Sequence, residues 1–258
     1  MVDYVSKFPF KKRSIWPHLR ATELLESAHL RHCIVGDTVA QVLGSPALVC
    51  ALFIAVADEQ LEDGRRILLD HGYHGKPQNL QCFGHSEARE NPGGWPGHTF
   101  SSPVSVEPSE LDVMLVPASS WYLDLSPTSF AAYTFLHPDT LCRFPTRRFY
   151  INALICGIAE RFDTPGLNCS ITLYLQVQYA YVLGVLPEKF IALLPEEDQL
   201  FIELFDSALF ARRKVCTEWK KIRDGKQTVD EARKRIPRHD LRLAALKMKR
   251  QRHQGIVA

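Results

Sequence analysis

The sequence predicts an α/β (α+β) protein, with a sheet core in the first half of the chain and a helical second half. Three observations lead there. Ala47 to Ala57 and Leu111 to Ala118 are almost continuously apolar, of strand length, and lie among helical patterns, as strands covered on both faces do. After about Thr146 the apolar residues recur at helical spacing without a further strand-like run. The 258 residues are 46% hydrophobic, enough to bury a sizeable core without disulfides or metals.

In chain order, Pro17 to His32 sets Leu19, Leu24, Leu25 and Ala28 at helical spacing. Cys33 to Gly36 is a short strand ended by glycine, and Asp37 to Leu43 is a brief helix closed by Gly44. Ala47 to Ala57 is the first buried strand. Asp58 to His71 is amphipathic, with Leu61, Ile67, Leu68 and Leu69 facing inward and Gly72 as its stop. From His74 to Pro108 glycine, proline and polar residues dominate, which predicts a long loop or marginal hairpin. Leu111 to Ala118 is the next strand. A proline-containing turn at Phe144 to Thr146 separates an α/β domain, 1–145, from a helical domain, 146–258. Helices are expected there over Arg147 to Phe162, Ser170 to Leu183, Glu196 to Asp224 and Val229 to Arg252, the last interrupted at Pro237. Tyr174, Tyr181, Phe201 and Phe205 keep helical spacing and read as core.

Composition narrows the function classes. Cysteines 33, 50, 82, 142, 156, 169 and 216 are scattered, odd in number and without a CxxC pair, so buried thiols in a reducing, cytoplasmic setting are expected. The longest apolar run is about half of the roughly 20 residues of a spanning helix, and the first residues lack the apolar centre of a signal peptide. No membrane association is expected. The net charge of +2 conceals an asymmetry: residues 211–254 hold 16 basic and 5 acidic side chains, a local +11 against −9 before them. Such polarity suits a polyanion such as RNA, although a solvated helix face carries the same residues.

The stretch from Gly36 to Tyr73, with its glycine after a strand, small helix, second strand and "DEQLEDGRRILLDHGY", resembles the core of the nucleotidyltransferase fold, in particular fungal proteins of that type. "LDVMLVPASSWYLDL" is similar to their later strand. Active members carry an Asp-x-Asp metal pair on the second strand, to hold two cations against a triphosphate. Here those positions fall at Ala51 and Phe53, and only Asp112 remains of the expected carboxylates. The resemblance thus implies a degenerate sheet core without nucleotidyl transfer.

Beyond that strand stand Asp58, Glu59, Glu62 and Asp63. On one continuous helix Asp58 and Glu62 share a face at the carboxyl end of a buried strand, where a guanidinium or ammonium could be held. Acids in a first helical turn also answer to the macrodipole and to capping. The stretch resembles the Asp-Asp-x-x-Glu motif of the fungal arginine-containing cyclodipeptide synthases, with Glu59 in place of the second Asp. That resemblance implies condensation of an arginyl and a second aminoacyl group, both from aminoacyl-tRNAs, into a cyclic dipeptide for secondary metabolism. Asp58, Glu59 and Glu62 would be catalytic, with Gly36, Asp63 and Asp112 on the substrate side. Arg212, Arg213, Lys214, Lys220, Lys221 and Arg223 would meet tRNA phosphates. No cofactor is called for, because the ester supplies the energy. Ser119 and Ser120, after a strand, admit a nucleophilic or a loop role; His71 and His74 read as surface histidines. A noncatalytic binding protein on the same fold and a tRNA-independent small-molecule transferase are the alternatives.

Overall fold

The computed structural model describes residues 19–47, 49, 51–75, 97–103, 111–137, 142–162, 169–207 and 211–236. The basic start of the chain, most of the predicted 74–108 loop and the predicted helix beyond residue 236 lie outside the described residues. Internal contacts divide the chain into two units, residues 1–157 with 166–186, and residues 158–165 with 187–258.

The first unit is a mixed α+β structure. Its described elements are α1 (Arg20–Ser27), β1 (His32–Val35), α2 (Asp37–Val42), β2 (Ala51–Val56), α3 (Leu61–Asp70), β3 (His74–Gly75), β4 (His98–Ser101), β5 (Asp112–Pro117), α4 (Pro127–Tyr133), β6 (Thr134–Leu136) and β7 (Arg143–Pro145). Two long helices follow, α5 (Arg147–Arg161), which runs on into the second unit, and α6 (Cys169–Leu183). The five-stranded sheet has the order β1-β2-β5-β4-β3. β2 is antiparallel to β1 and parallel to β5, with Ala51 opposite Asp112 and Val56 opposite Pro117. Strand, glycine, helix, second strand, helix and a later strand beside the second follow in the order that the sequence led us to expect.

All six residues of β2 and all four of β1 are buried, so both faces are covered and the apolar runs need no alternation. The segment after β2 departs from expectation. Asp58–Gln60 is a 3-10 turn, and the α-helix begins only at Leu61. α3 ends as predicted at Gly72, whose φ of 83° takes the left-handed conformation of a helix stop. The predicted loop contains strands at its two described edges, since β4 pairs with both β3 and β5. β6 and β7 form a separate antiparallel pair. Arg143 on β7 grips Glu26 of α1 through two hydrogen bonds of 2.6 and 2.9 Å, a pairing between distant parts of the chain that no local pattern announces.

In the second unit lie α7 (Glu188–Ile191), α8 (Glu196–Phe205), α9 (Arg212–Arg223) and α10 (Val229–Arg235). The single helix expected over Glu196 to Asp224 is therefore two. Ser207 helps to end the first, since its hydroxyl bonds to the carbonyls of Glu203 and Leu204 at 3.0 and 3.2 Å. α10 starts with a capping box between Thr228 and Glu231. Phe201 stacks on Phe205 at 4.6 Å, and Trp219 donates its indole N–H to buried Asp198 at 3.0 Å. Phe201, Phe205 and Tyr174 are buried, as their spacing predicted, whereas Tyr181 is only half-buried. Among the described residues no helix is long and apolar enough to cross a membrane, and Cys33, Cys142, Cys156 and Cys216 are buried cysteines outside any disulfide.

Candidate functional site

The glycine end of the sheet is sealed. Gly36 has φ 73° and ψ −148°. Its backbone N–H donates to the Tyr150 hydroxyl at 2.9 Å. A Cβ at this position would stand 2.8 Å from the Tyr174 hydroxyl and 3.3 Å from the Phe53 ring. Phe53, the position at which the resemblance would put a second metal-binding acid, packs instead. Its ring centroid is 6.1 Å from that of Trp121 and 5.7 Å from that of Tyr174, while Trp121 stacks on Tyr150 at 6.4 Å. Asp37, just beyond Gly36, accepts a hydrogen bond from the buried amide of Gln178 on α6. Ala51 and Phe53 have no donor atom for a cation and are fully buried, so the residues present do not fit the two-metal group of that fold.

The acidic end is open. A cavity of about 250 Å³ lies at the carboxyl ends of the parallel strands β2 and β5, lined among others by Arg31, Asp58, Glu59, Ser119, Asp124 and Ser126. Ligands of α/β sheets tend to bind at such strand ends. The volume is below the roughly 300–1,000 Å³ typical of drug-sized pockets, so it suits a group the size of one amino acid better than a nucleotide.

Three elements build this cavity. The 3-10 turn brings Asp58 to the strand end, where its Oδ1 accepts the backbone N–H of Ser119 at 3.0 Å. Its neighbour Glu59 pairs with the Arg31 guanidinium, which also donates to the carbonyl of Leu125 at 2.5 Å. The Glu59 carboxyl is held below its ordinary range by its own backbone N–H and by Arg31. Across the cavity Asp124 accepts from the backbone N–H of Ser126 at 2.9 Å and the Ser129 hydroxyl at 2.5 Å, and both hold its carboxyl down.

The predicted site residues separate into groups. Asp58 and Glu59 line the cavity. The 3-10 turn removes the common face assumed for Asp58 and Glu62. Glu62 accepts from His98 of β4 at 2.7 Å and pairs with Arg65, whereas Asp63 pairs with Arg66. Gly36 and Asp112 lie toward the other end of β2, Asp112 directly opposite Ala51, and six strand residues span about 20 Å. One small-molecule site cannot contain both sets. Ser119 lines the cavity, while the Ser120 hydroxyl turns back to the Pro117 carbonyl at 2.7 Å. His71 bonds to the Ile67 carbonyl at its helix end, and among the described residues no His, Cys, Asp and Glu group could hold a metal.

The basic residues of α9 are engaged within their own unit. Glu218, fully buried, takes Lys214 and Lys221 at 2.9 Å each and lies 3.8 Å from Arg235. Glu160 takes Lys220 at 3.3 Å and Arg223 at 2.7 Å, and Arg223 also lies over the Trp219 ring. Arg212 pairs with Asp206 and covers Phe205.

Arg31 and Asp124 were missed from the sequence. The run Asp124-Leu125-Ser126-Pro127 carries a readable turn and helix-start signal. Arg31, at the end of a helical pattern, carries none, because its partners are 28 and 94 residues away.

No protein-family model matches the chain, and no curated protein matches it. Among solved structures, it is similar to an antigenic nucleotidyltransferase-like protein from Paracoccidioides brasiliensis. The identity is 13%, the match covers 65% of this chain and 73% of that one, and the TM-score is 0.36.

Proposed function

We propose that this chain is a tRNA-dependent aminoacyltransferase that condenses an arginyl group with a second aminoacyl group into a cyclic dipeptide. The observation that carries this reading is the cavity at the ends of β2 and β5, amino-acid-sized and lined by Asp58, Glu59 and Asp124. The resemblance of Asp58-Glu59-Gln60-Leu61-Glu62 to the synthase motif supports it.

In the reaction the α-amino group of one aminoacyl ester attacks the ester carbonyl of the other. A C–N bond forms, the C–O bond to the ribose breaks, and the ribose oxygen leaves with a proton. Repetition by the second amino group closes the ring and frees the second tRNA. The α-ammonium, with an ordinary pKa near 8, must first be held and deprotonated. We assign this to Asp58, whose Oδ1 is fixed by Ser119 and whose Oδ2 has no hydrogen-bond partner among the described residues. The Asp124 carboxylate across the cavity favours a cationic side chain. The motif resemblance includes Glu62, and its contact with His98 gives it a partner for proton exchange.

The test is mass spectrometry of a host that expresses the full chain, compared with an Asp58→Ala version. An arginine-containing cyclic dipeptide present only with the unsubstituted chain is the expected result; no new metabolite from abundant, folded protein would refute the reading. The ion pairs of Arg212, Lys214, Lys220, Lys221 and Arg223 favour a second reading, in which the same cavity serves a free small molecule. Activity that survives ribonuclease treatment would select it.

A further inference from the structure

Arg31 joins three separate parts of the cavity wall. Its backbone carbonyl accepts the Ala57 N–H at 2.8 Å and its backbone N–H donates to Gln60 Oε1 at 2.9 Å, so it is stitched to both sides of the Asp58–Gln60 turn. Its guanidinium then spans from Glu59 to the Leu125 carbonyl on the connection after β5. That side chain is 18% exposed while the Glu59 side chain is 64% exposed, so the guanidinium is held by the wall and meets the glutamate at its solvent side, and a planar two-point donor fits this task better than an ammonium.

We infer that Arg31 is the positioning residue of this site: it engages Glu59 as a fixed anion of the wall and leaves Asp58 as the carboxylate that meets the substrate. This rests on the proposed aminoacyl transfer. It also accounts for the departure of the acidic motif at its second position. A glutamate extends one methylene further than an aspartate, and the reach that weakens the motif match is the reach that meets Arg31. Glu59→Asp should therefore behave as a clamp variant, not as a repaired active site.

Two measurements test the assignment. In the first, the Glu59 carboxyl is followed by carbon NMR titration of the full chain and of Arg31→Ala. It should titrate below the ordinary glutamate range in the first and return toward it in the second. In the second, product formation is compared among Arg31→Ala, Arg31→Lys, Glu59→Gln, Arg31→Ala/Glu59→Gln and Asp58→Asn. Loss of the clamp is expected to raise the KM for aminoacyl-tRNA about tenfold with kcat changed less, since misplacement by about 1 Å is costly. The double variant should be no worse than either single one, millimolar guanidinium should restore part of the Arg31→Ala activity, and Asp58→Asn should lose kcat. A Glu59 titration that Arg31→Ala does not move overturns the clamp whatever the product does. Additive losses, or product from Asp58→Asn at the original kcat, overturn the division of roles. A moved titration with no product from any version, the unsubstituted chain included, sustains the clamp and refutes the synthase reading instead.

Discussion

The Tyr150 hydroxyl accepts the backbone N–H of Gly36 at 2.9 Å. A phenol thus occupies the glycine's amide, and Phe53, Trp121 and Tyr174 pack around it. Anion binding by a backbone N–H requires that donor to be free. Magnesium with a nucleoside triphosphate should therefore leave the melting temperature of the chain unchanged. A shift that grows with nucleotide concentration, as linkage demands of a ligand that binds the native state, would show that the aromatic side chains move aside.

The same glycine should resist substitution. Its φ and ψ of 73° and −148° lie where side-chain-bearing residues are rarely found, and a methyl group would press on the Tyr174 hydroxyl at 2.8 Å. Gly36→Ala is expected to lower stability by about 2 kcal/mol or more, read as the shift in a urea unfolding midpoint. Gly44→Ala is the control. It also has positive φ, but its Cβ would meet nothing within 4 Å, so its cost should be the smaller one.

These positions show what the sequence could disclose. The buried strands were legible because a covered strand reads as an unbroken apolar run, and the end of α3 was legible because Gly72 has a local job. That Ala51 and Phe53 offer no side-chain donor to a cation was equally plain. The aromatic seal was not, because Phe53, Trp121, Tyr150 and Tyr174 lie far apart in sequence and meet only after folding. The short strands β6 and β7 were hidden for a related reason, as three residues hold too little pattern to show a period. At the acidic cluster, helical spacing misled: a 3-10 turn over Asp58–Gln60 changes the angle between Asp58 and Glu62, and the groups that bond to its side chains, the backbone N–H groups of Arg31 and Ser119, are distant in sequence. The C-terminal charge asymmetry was read correctly as composition, but the acids that engage it, Glu160 and Glu218, could be matched to their cations only in three dimensions.

His32 should make the first unit sensitive to mild acid. It is fully buried, its Nδ1 lies 2.9 Å from the Leu30 carbonyl, and its Nε2 has no hydrogen-bond partner among the described residues. Burial pushes its pKa down from 6.5 to about 4, against a smaller upward pull from Leu30 and Glu26. Between those two pH values the unfolded chain binds a proton that the native chain refuses, so stability falls as pH drops from 6.5 toward 4, by up to about 3 kcal/mol. Hydrogen exchange of peptides that cover β1 should accelerate across this window. His32→Asn, which keeps a donor near Nδ1 without the titration, should flatten the dependence; an unchanged slope would assign the acid sensitivity to another group.

Glu218 should act lower on the pH scale and in the second unit. Burial alone would raise its carboxyl, but the hydrogen bonds of Lys214 and Lys221 outweigh burial and hold it at about 2 against an ordinary 4.5. A depressed carboxylate stabilises above its unfolded pKa and loses that contribution as pH falls through the folded one, so the window is 4.5 to 2 and the amount is about 2–3 kcal/mol. Glu218→Gln should lose this at neutral pH, and its deficit relative to the unsubstituted chain should shrink as both are taken toward pH 2. Removal of one partner of a buried pair can cost about 3–5 kcal/mol, but Lys214 and Lys221 are 44% and 37% exposed and can regain water, which places the expected loss at the lower end. Exchange of peptides over α9 is the measurement. If Glu218→Gln leaves that exchange unchanged, the carboxylate does not organise the basic helix, and its lysines are available to an external phosphate at no cost to the fold.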